Sequence, residues 1–229
     1  QICDTWGYTY NGVYAVFMID ANEPYRAAVR KPLSFLNEHY RNSLWGRRSI
    51  VADEYADSIE GAVNLINREP VPSVDEWLDS EIRVMWAIQQ PDGVIEGWHG
   101  DGNYARTSLM YALWKTQGLT ICPWRADVCF GAVRRDDTLY ITLTADEPWQ
   151  GRLIFDKARH RENLHLPIDY PRLNQFPEWF TTEKDVSYTI QNLTSGTEAP
   201  QTGKELRAGM PVQLPAGKEL RLVVMPAGK

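Results

Sequence analysis

The sequence CPWRADVC, residues 122–129, separates two different hydrophobic patterns in this chain of 229 residues. Before it, apolar residues recur every three or four positions, which is the period of an amphipathic helix. After it, short segments alternate apolar and polar residues, which is the period of a strand. Helices followed by strands, without alternation, predict two packed units rather than a doubly wound fold. We therefore expect a helical-hairpin domain over residues 1–122 and an antiparallel β-sandwich domain over residues 127–229.

The N-terminal half has five segments with helical spacing. Ser73 and Glu76 match the S-x-x-E capping box, so one helix is predicted to begin at Ser73 and to stop before Pro91. A kink or restart is expected near Pro32 because proline cannot donate a backbone hydrogen bond, and Gly118 closes the last helix. The predicted helices cover residues 7–22, 23–43, 52–69, 73–90 and 105–118.

A faint internal repeat runs through these helices. The pair Tyr14-Ala15 can be laid over Tyr111-Ala112, and the same offset places Asp4 on Asp101, with Asp53 about midway. An interval of about 48 residues suits a helical hairpin with its loops if hairpins stack side by side. Few residues carry the repeat, so chance similarity is the alternative explanation.

The C-terminal half has six short β-rich segments separated by turn signals. A long, polar, Pro-rich segment interrupts them at 156–180, and we predict that it is an extended loop that wraps the sandwich. The predicted strands cover residues 128–135, 138–145, 151–156, 187–194, 211–217 and 219–226.

Charge and motif content exclude several classes of protein. The net charge of −6 argues against a nucleic-acid partner, which requires clustered Lys and Arg. No apolar run approaches the ~20 residues that span a bilayer, so no membrane partner is expected. The sequence has no Gly-rich phosphate loop after a strand, no zinc-type spacing and no G-x-S-x-G motif. We expect neither a cofactor nor a metal site.

The loop GVIEGWHGDGNYART, residues 93–107, concentrates polar chemistry at the start of a predicted helix. Asp101 or Asn103 could simply cap that helix, but a cap does not account for the other polar and aromatic side chains. Four glycines within the loop raise the cost of ordering it, which favours a ligand-binding role at the mouth of a cleft. The candidate residues are Glu96, Trp98, His99, Asp101, Asn103, Tyr104 and Arg106.

The predicted helix 52–69 carries a polar stripe that includes Asp57 and Glu60. A solvated helix face is one interpretation of this stripe. The other is a helix covered on both sides, whose polar face lines a cleft and whose carboxyl groups act as acid and base. In the next helix, Glu81 is predicted to be a surface charge.

Helical hairpins that end in the loop 93–107 and are followed by a β-sandwich resemble the (α/α)-toroid enzymes that act on carbohydrates. These are the six-hairpin glycoside hydrolases and the toroid-plus-sandwich polysaccharide lyases. The segment DTWGYTYNGVY, residues 4–14, is similar to the start of a toroid helix. A complete toroid has about twelve helices, so the resemblance implies a partial toroid or the C-terminal part of a longer enzyme.

The resemblance implies a site in a toroid cleft that binds a polysaccharide or oligosaccharide. The missing N-terminal part of the protein would be a second partner, and a carbohydrate substrate would imply a periplasmic or extracellular location. The alternative is a non-catalytic glycan-binding or scaffold module. The implied catalytic residues are Asp57, Glu60, His99, Asp101, Tyr104 and Arg106, and the implied substrate-binding residues are Tyr8, Tyr10, Glu96, Trp98 and Asn103.

Overall fold

The computed structural model describes residues 3–43, 51–95 and 102–228 and divides them into two compact units. The first unit extends to Tyr111 and includes Asp169–Pro177. The second comprises Ala112–Ile168 and continues from Glu178. The prediction of helices followed by antiparallel sheets is confirmed.

Each of the five predicted helices has an observed counterpart. The second helix continues through Pro32 without a break. The fourth begins at Pro72, and no side chain caps it, so the predicted capping box at Ser73 is wrong. Proline at the first helical position already has the backbone angle that a helix requires, which leaves Ser73 inside the first turn. The helices are α1 (Trp6–Asp20), α2 (Glu23–His39), α3 (Ala52–Ile66), α4 (Pro72–Trp86) and α5 (Gly102–Thr116).

The helices of the first unit form hairpins that lie side by side. Helix α1 packs against α2 and α3, and α4 packs against α2 and α3. The hydroxyl of Thr107 in α5 donates to the carbonyl of Ala56 in α3 over 3.1 Å. Early residues of α1 contact early residues of α3 and later ones contact residues just beyond its C-terminal end, as Trp6 with Ser58 and Tyr14 with Glu69 show. Asn103 of α5 likewise contacts Asp53 of α3, one turn before the contact between Thr107 and Ala56. Helices α1 and α5 therefore both run parallel to α3, with their N-terminal ends on the same side of the unit.

Helix α3 lies at the centre of the first unit, and most of its residues are buried. Glu60 and Asn64 have 0% and 1% of their surface exposed, so the interpretation of the polar stripe as a solvated face is wrong for both. Glu81 in α4 is also fully buried, not a surface charge, and accepts a hydrogen bond from the backbone N–H of Asn42. Sequence periodicity could not reveal this burial. The pattern shows which helix face is polar, but it does not show whether another element packs against that face.

Two glycines set the distance between α1 and α3. A Cβ atom on Gly61 would lie 2.6 Å from the Cα of Gly7, and one on Gly7 would lie 2.4 Å from the Cα of Gly61. No side chain fits between the two backbones at this crossing, and the helices are held in direct backbone contact.

The second unit is a two-sheet sandwich. One sheet has the strand order β1-β4-β7 and the other β2-β3-β8-β5-β6, and all their pairings are antiparallel. Alternate residues of β3, among them Leu139, Ile141 and Leu143, point into the core between the sheets. The strands are β1 (Thr120–Cys122), β2 (Val128–Arg135), β3 (Thr138–Ala145), β4 (Trp149–Ile154), β5 (Ser187–Asn192), β6 (Thr197–Thr202), β7 (Met210–Leu214) and β8 (Glu219–Pro226), with two short helices, α6 (Arg159–Glu162) and α7 (Gly203–Gly209).

The sequence analysis missed two strands, β1 and β6. It also assigned the whole loop 156–180 to the sandwich, although part of that loop belongs to the helical unit. Strand β1 is only three residues long, and β6 is a polar edge strand that contains Pro200. The loop predicted to wrap the sandwich is divided instead, because its residues 169–177 belong to the helical unit. Among the described residues, no helix combines the length and apolar character needed to cross a membrane.

The contact between Gly7 and Gly61 predicts a specific stability effect. Substitution Gly61→Ala should lower the free energy of unfolding by about 1–3 kcal/mol, because the helices must move apart to admit the methyl group. The matched control is Gly12→Ala in α1, where an added Cβ meets no atom within 4 Å. In the 229-residue chain, that change should stabilise the helix by about 0.5–1 kcal/mol. Urea unfolding of both variants measures the difference, and equal effects would contradict a close crossing at Gly61.

Candidate functional site

Polar side chains from α1, α3 and α5 meet where the N-terminal ends of these helices lie together. The hydroxyl of Tyr8, in the first turn of α1, donates to Asp57 in α3. The side-chain amide of Asn103, at the start of α5, donates to Asp53 in the first turn of α3. The parallel arrangement of the helices therefore gathers residues that are about 50 positions apart in the chain.

Arg106 lies at the centre of this group. Its Nη1 donates to Oδ1 of Asn103 over 2.8 Å and to Oδ1 of Asn174 over 2.6 Å. Its Nη2 forms an ion pair with Glu60 and lies 3.6 Å from Oδ1 of Asp57. One guanidinium thus bridges two carboxyl groups that are one helical turn apart on α3. We call Tyr8, Asp57, Glu60, Asn103, Arg106 and Asn174 the Asp57 cluster.

Members of the Asp57 cluster differ in their access to a ligand. The side chain of Glu60 is 0% exposed, whereas those of Asp57 and Arg106 are 13% and 17% exposed. Glu60 is also held by the backbone N–H of Asn174, which donates to its Oε1 over 2.8 Å. Glu60 is therefore a positioning residue for Arg106, and Asp57 with Tyr8 and Arg106 forms the accessible part.

Burial dominates the electrostatics of both carboxyl groups. Loss of hydration raises the pKa of Asp57, and this effect exceeds the opposing hydrogen bond from Tyr8 and the positive charge of Arg106. Burial likewise raises the pKa of Glu60 despite its ion pair with Arg106. The pKa of the Tyr8 hydroxyl is raised by burial and by its hydrogen bond to Asp57.

The directions of these pKa shifts, together with the charge of Arg106, indicate the chemistry that the site supports. A carboxyl group with a raised pKa keeps its proton to a higher pH than an ordinary aspartate, which favours a role as a proton donor. A tyrosine with a raised pKa stays neutral and serves as a hydrogen-bond donor. The arginine supplies a fixed positive charge. Together, Asp57, Tyr8 and Arg106 can protonate, hydrogen-bond and neutralise groups on a ligand.

The structure brings together part of the site predicted from the sequence. Tyr8, Asp57, Glu60, Asn103 and Arg106 all belong to the Asp57 cluster. The remaining candidates from the loop, Glu96, Trp98, His99 and Asp101, lie outside the described residues.

Two candidate residues are placed elsewhere in the helical unit. Tyr104 is 8% exposed and directs its hydroxyl to Oε1 of Gln89 at 3.1 Å. Tyr10 lines a groove beside α2 with Phe35. Tyr10 and Tyr104 each lie one or two positions from a cluster residue in the sequence. Residues so close in a helix point in different directions, so these two tyrosines do not reach the Asp57 cluster.

Sequence reasoning missed Asn174. This residue lies in the Pro-rich segment that was assigned to the sandwich, 114 positions from Glu60. Both its backbone N–H and its side-chain oxygen contact the cluster. No periodic pattern or motif marks an isolated asparagine in a loop, so only the tertiary structure could identify it.

Comparison with known proteins gives no relative from which a role for the cluster could be transferred. No protein-family model matches the sequence, and no curated protein matches it. The chemistry of the Asp57 cluster therefore has to be argued from its own geometry.

The raised pKa of Asp57 predicts the effect of removing its charge. Ionisation of a group whose pKa is raised by folding opposes folding, so wild-type stability falls as pH rises through that pKa. Asp57→Asn keeps an acceptor for Tyr8 and removes this cost. We expect the variant to be at least as stable as the wild type at neutral pH and equally stable at acidic pH.

Asp169→Asn is the matched control for that experiment. Asp169 has similar burial, with 17% of its side chain exposed, but it is held by Arg68 and Arg172 at 2.8 and 3.0 Å. Removing this charge should cost about 1–3 kcal/mol. Thermal unfolding across the pH range compares the two variants. A loss at neutral pH for Asp57→Asn as large as the loss for the control would mean that Asp57 is structural.

Proposed function

We propose that this chain is part of a carbohydrate-active protein, a glycoside hydrolase or a polysaccharide lyase, in which the Asp57 cluster is the acid–base site. The observation that carries the proposal is the convergence of a carboxyl group with a raised pKa, a tyrosine hydroxyl and an arginine at the N-terminal ends of three neighbouring helices. The succession of helical hairpins and sandwich, which resembles the toroid enzymes, supports the choice of carbohydrate as the substrate class.

Each accessible residue has a chemical role in this proposal. In glycoside hydrolysis, Asp57 donates a proton to the glycosidic oxygen as the bond between that oxygen and the anomeric carbon breaks, and the leaving sugar departs as an alcohol. A water molecule adds to the anomeric carbon, and the proton that it releases restores the Asp57 carboxyl group. Tyr8 orients the Asp57 carboxyl through its hydrogen bond. Arg106 neutralises acidic groups on the sugar, and Glu60 and Asn174 hold the arginine in place. A substrate of this kind would place the protein in the periplasm or outside the cell.

A second candidate is a non-catalytic glycan-binding module. Four side chains contact the guanidinium of Arg106 at once, and a charge so fully paired suits a rigid binding surface. Tyr8, Asp57 and Asn103 would then bind sugar hydroxyl groups without transferring a proton. Turnover separates this candidate from the first.

The test is product analysis on a panel of neutral and acidic polysaccharides, with the product of the complete open reading frame. Asp57→Asn should reduce turnover by about 10²–10⁴-fold, the usual contribution of a general acid. Because the acid form is required, wild-type turnover should fall as pH rises above the raised pKa of Asp57. A lyase releases an unsaturated product that absorbs in the ultraviolet, and a hydrolase does not.

Asp79→Asn provides the matched control for turnover. Asp79 in α4 also accepts a hydrogen bond from a tyrosine hydroxyl, that of Tyr111, over 2.7 Å. This second Tyr–Asp pair is outside the Asp57 cluster, and its substitution should leave turnover unchanged. Equal losses in the two variants would contradict the assignment of Asp57 as the acid. Glycan binding without turnover in the wild type would favour the binding module instead.

A further inference from the structure

Helix α1 has a second apolar face that no described residue covers. Gly7 meets α3, and Val16, nine residues later, points in the opposite direction because nine residues make two and a half turns. Val16 and Ile19 are 45% and 72% exposed. A Cβ atom on Gly12, on the same side, would meet nothing within 4 Å. An exposed apolar stripe on a helix that is already buried on its other side is unusual for a free surface.

Helix α2 extends this open surface. Ala28 and Phe35 of α2 and Tyr10 of α1 line a groove of about 370 Å³ between the two helices. On the opposite side of α2, Asn37 donates to Glu76 of α4. The groove therefore faces away from α4, on the same side of the hairpin as the exposed stripe of α1. We call Gly12, Val16, Ile19, Ala28 and Phe35 the open face.

The interval of the internal repeat relates this face to the helix crossing at Gly61. Gly12 and Gly61 are separated by the same interval as Asp4 and Asp53, the repeated residues near the starts of α1 and α3. Gly61 is the position at which α3 receives the backbone of α1. Gly12 is therefore the equivalent position in α1, and no atom of the described residues lies within 4 Å of a Cβ atom placed there. In arrays of repeats, each unit contacts its neighbours, and a terminal unit has a polar outer face, which α1 lacks.

We infer that the open face packs against a further helical hairpin that precedes α1 in the same polypeptide. The hairpin α3–α4 packs against the hairpin α1–α2, which precedes it in sequence. By the same order, the neighbour on the open side of α1–α2 belongs to a preceding segment. One helix of that hairpin crosses α1 at Gly12, with a small residue at the crossing, as Gly7 crosses Gly61. The other side of the hairpin fills the groove beside Tyr10 and Phe35. This inference is independent of the proposed carbohydrate activity.

Gly12→Leu tests the inference in the product of the complete open reading frame. A leucine at a close helix crossing forces the helices apart, and the melting temperature should fall by at least ~3 °C. In the 229-residue chain, where the position is open, the same change should raise the melting temperature by ~2–4 °C because leucine is a better helix former than glycine. If the shorter chain does not fold alone, the longer product decides the question.

Ser34→Leu is the matched control. Ser34 is an exposed residue within α2 that lies outside the open face, so its substitution should have the same small effect in both lengths of protein. The inference is overturned if Gly12→Leu stabilises the longer product, or if no helical hairpin is encoded before residue 1. It is also overturned if light scattering shows that the longer product is a dimer that Gly12→Leu dissociates, because a second copy would then cover the face.

Discussion

The direct backbone contact between Gly7 and Gly61 is the constraint on which the helical unit depends. Any side chain at either position would separate α1 from α3. At the present distance, the indole N–H of Trp6 reaches the hydroxyl of Ser58 over 2.8 Å, and the hydroxyl of Tyr8 reaches Asp57. The two glycines thus place a residue from the first turn of α1 against a carboxyl group of α3, and the Asp57 cluster is assembled on this contact.

The buried charges of α3 add a second constraint. Two carboxyl groups one helical turn apart, both largely removed from water, would repel each other and disfavour folding. Arg106 offsets that repulsion from α5, and Asn174 completes its coordination from a distant loop. The pKa values of both carboxyl groups nevertheless remain raised. The helical unit therefore keeps an unfavourable electrostatic energy at this site, a feature that is frequent at functional sites.

The sequence predicted the positions of helices and strands well, but it predicted poorly which polar residues are buried, because burial depends on the packing of distant elements. Helical spacing located α3, and alternation located β3, because each pattern follows from which face of the element is buried. The stripe through Asp57 and Glu60 was visible, but whether water or another helix covered it depended on α1 and α5. The assignment of Glu81 to the surface failed for the same reason. Pro72 determined where α4 begins and so displaced the capping box predicted at Ser73.

The candidate site was predictable where a polar pattern marked it. The polar stripe of the predicted helix 52–69 indicated Asp57 and Glu60, and the polar loop 93–107 indicated Asn103 and Arg106. Asn174 could not be found in this way, because it enters the helical unit from a segment outside both patterns. Its backbone and side chain are what fix Glu60 and Arg106 relative to each other.

The most direct test of this account is the titration of the Asp57 carboxyl carbon by ¹³C NMR in the folded protein. The account predicts a pKa above the ordinary aspartate value of about 3.9, because burial outweighs the contacts with Tyr8 and Arg106. It also predicts a further rise in Arg106→Met, which removes the nearest positive charge. A pKa at or below the ordinary value, or one that does not respond to loss of Arg106, would contradict the assignment of Asp57 as a proton donor.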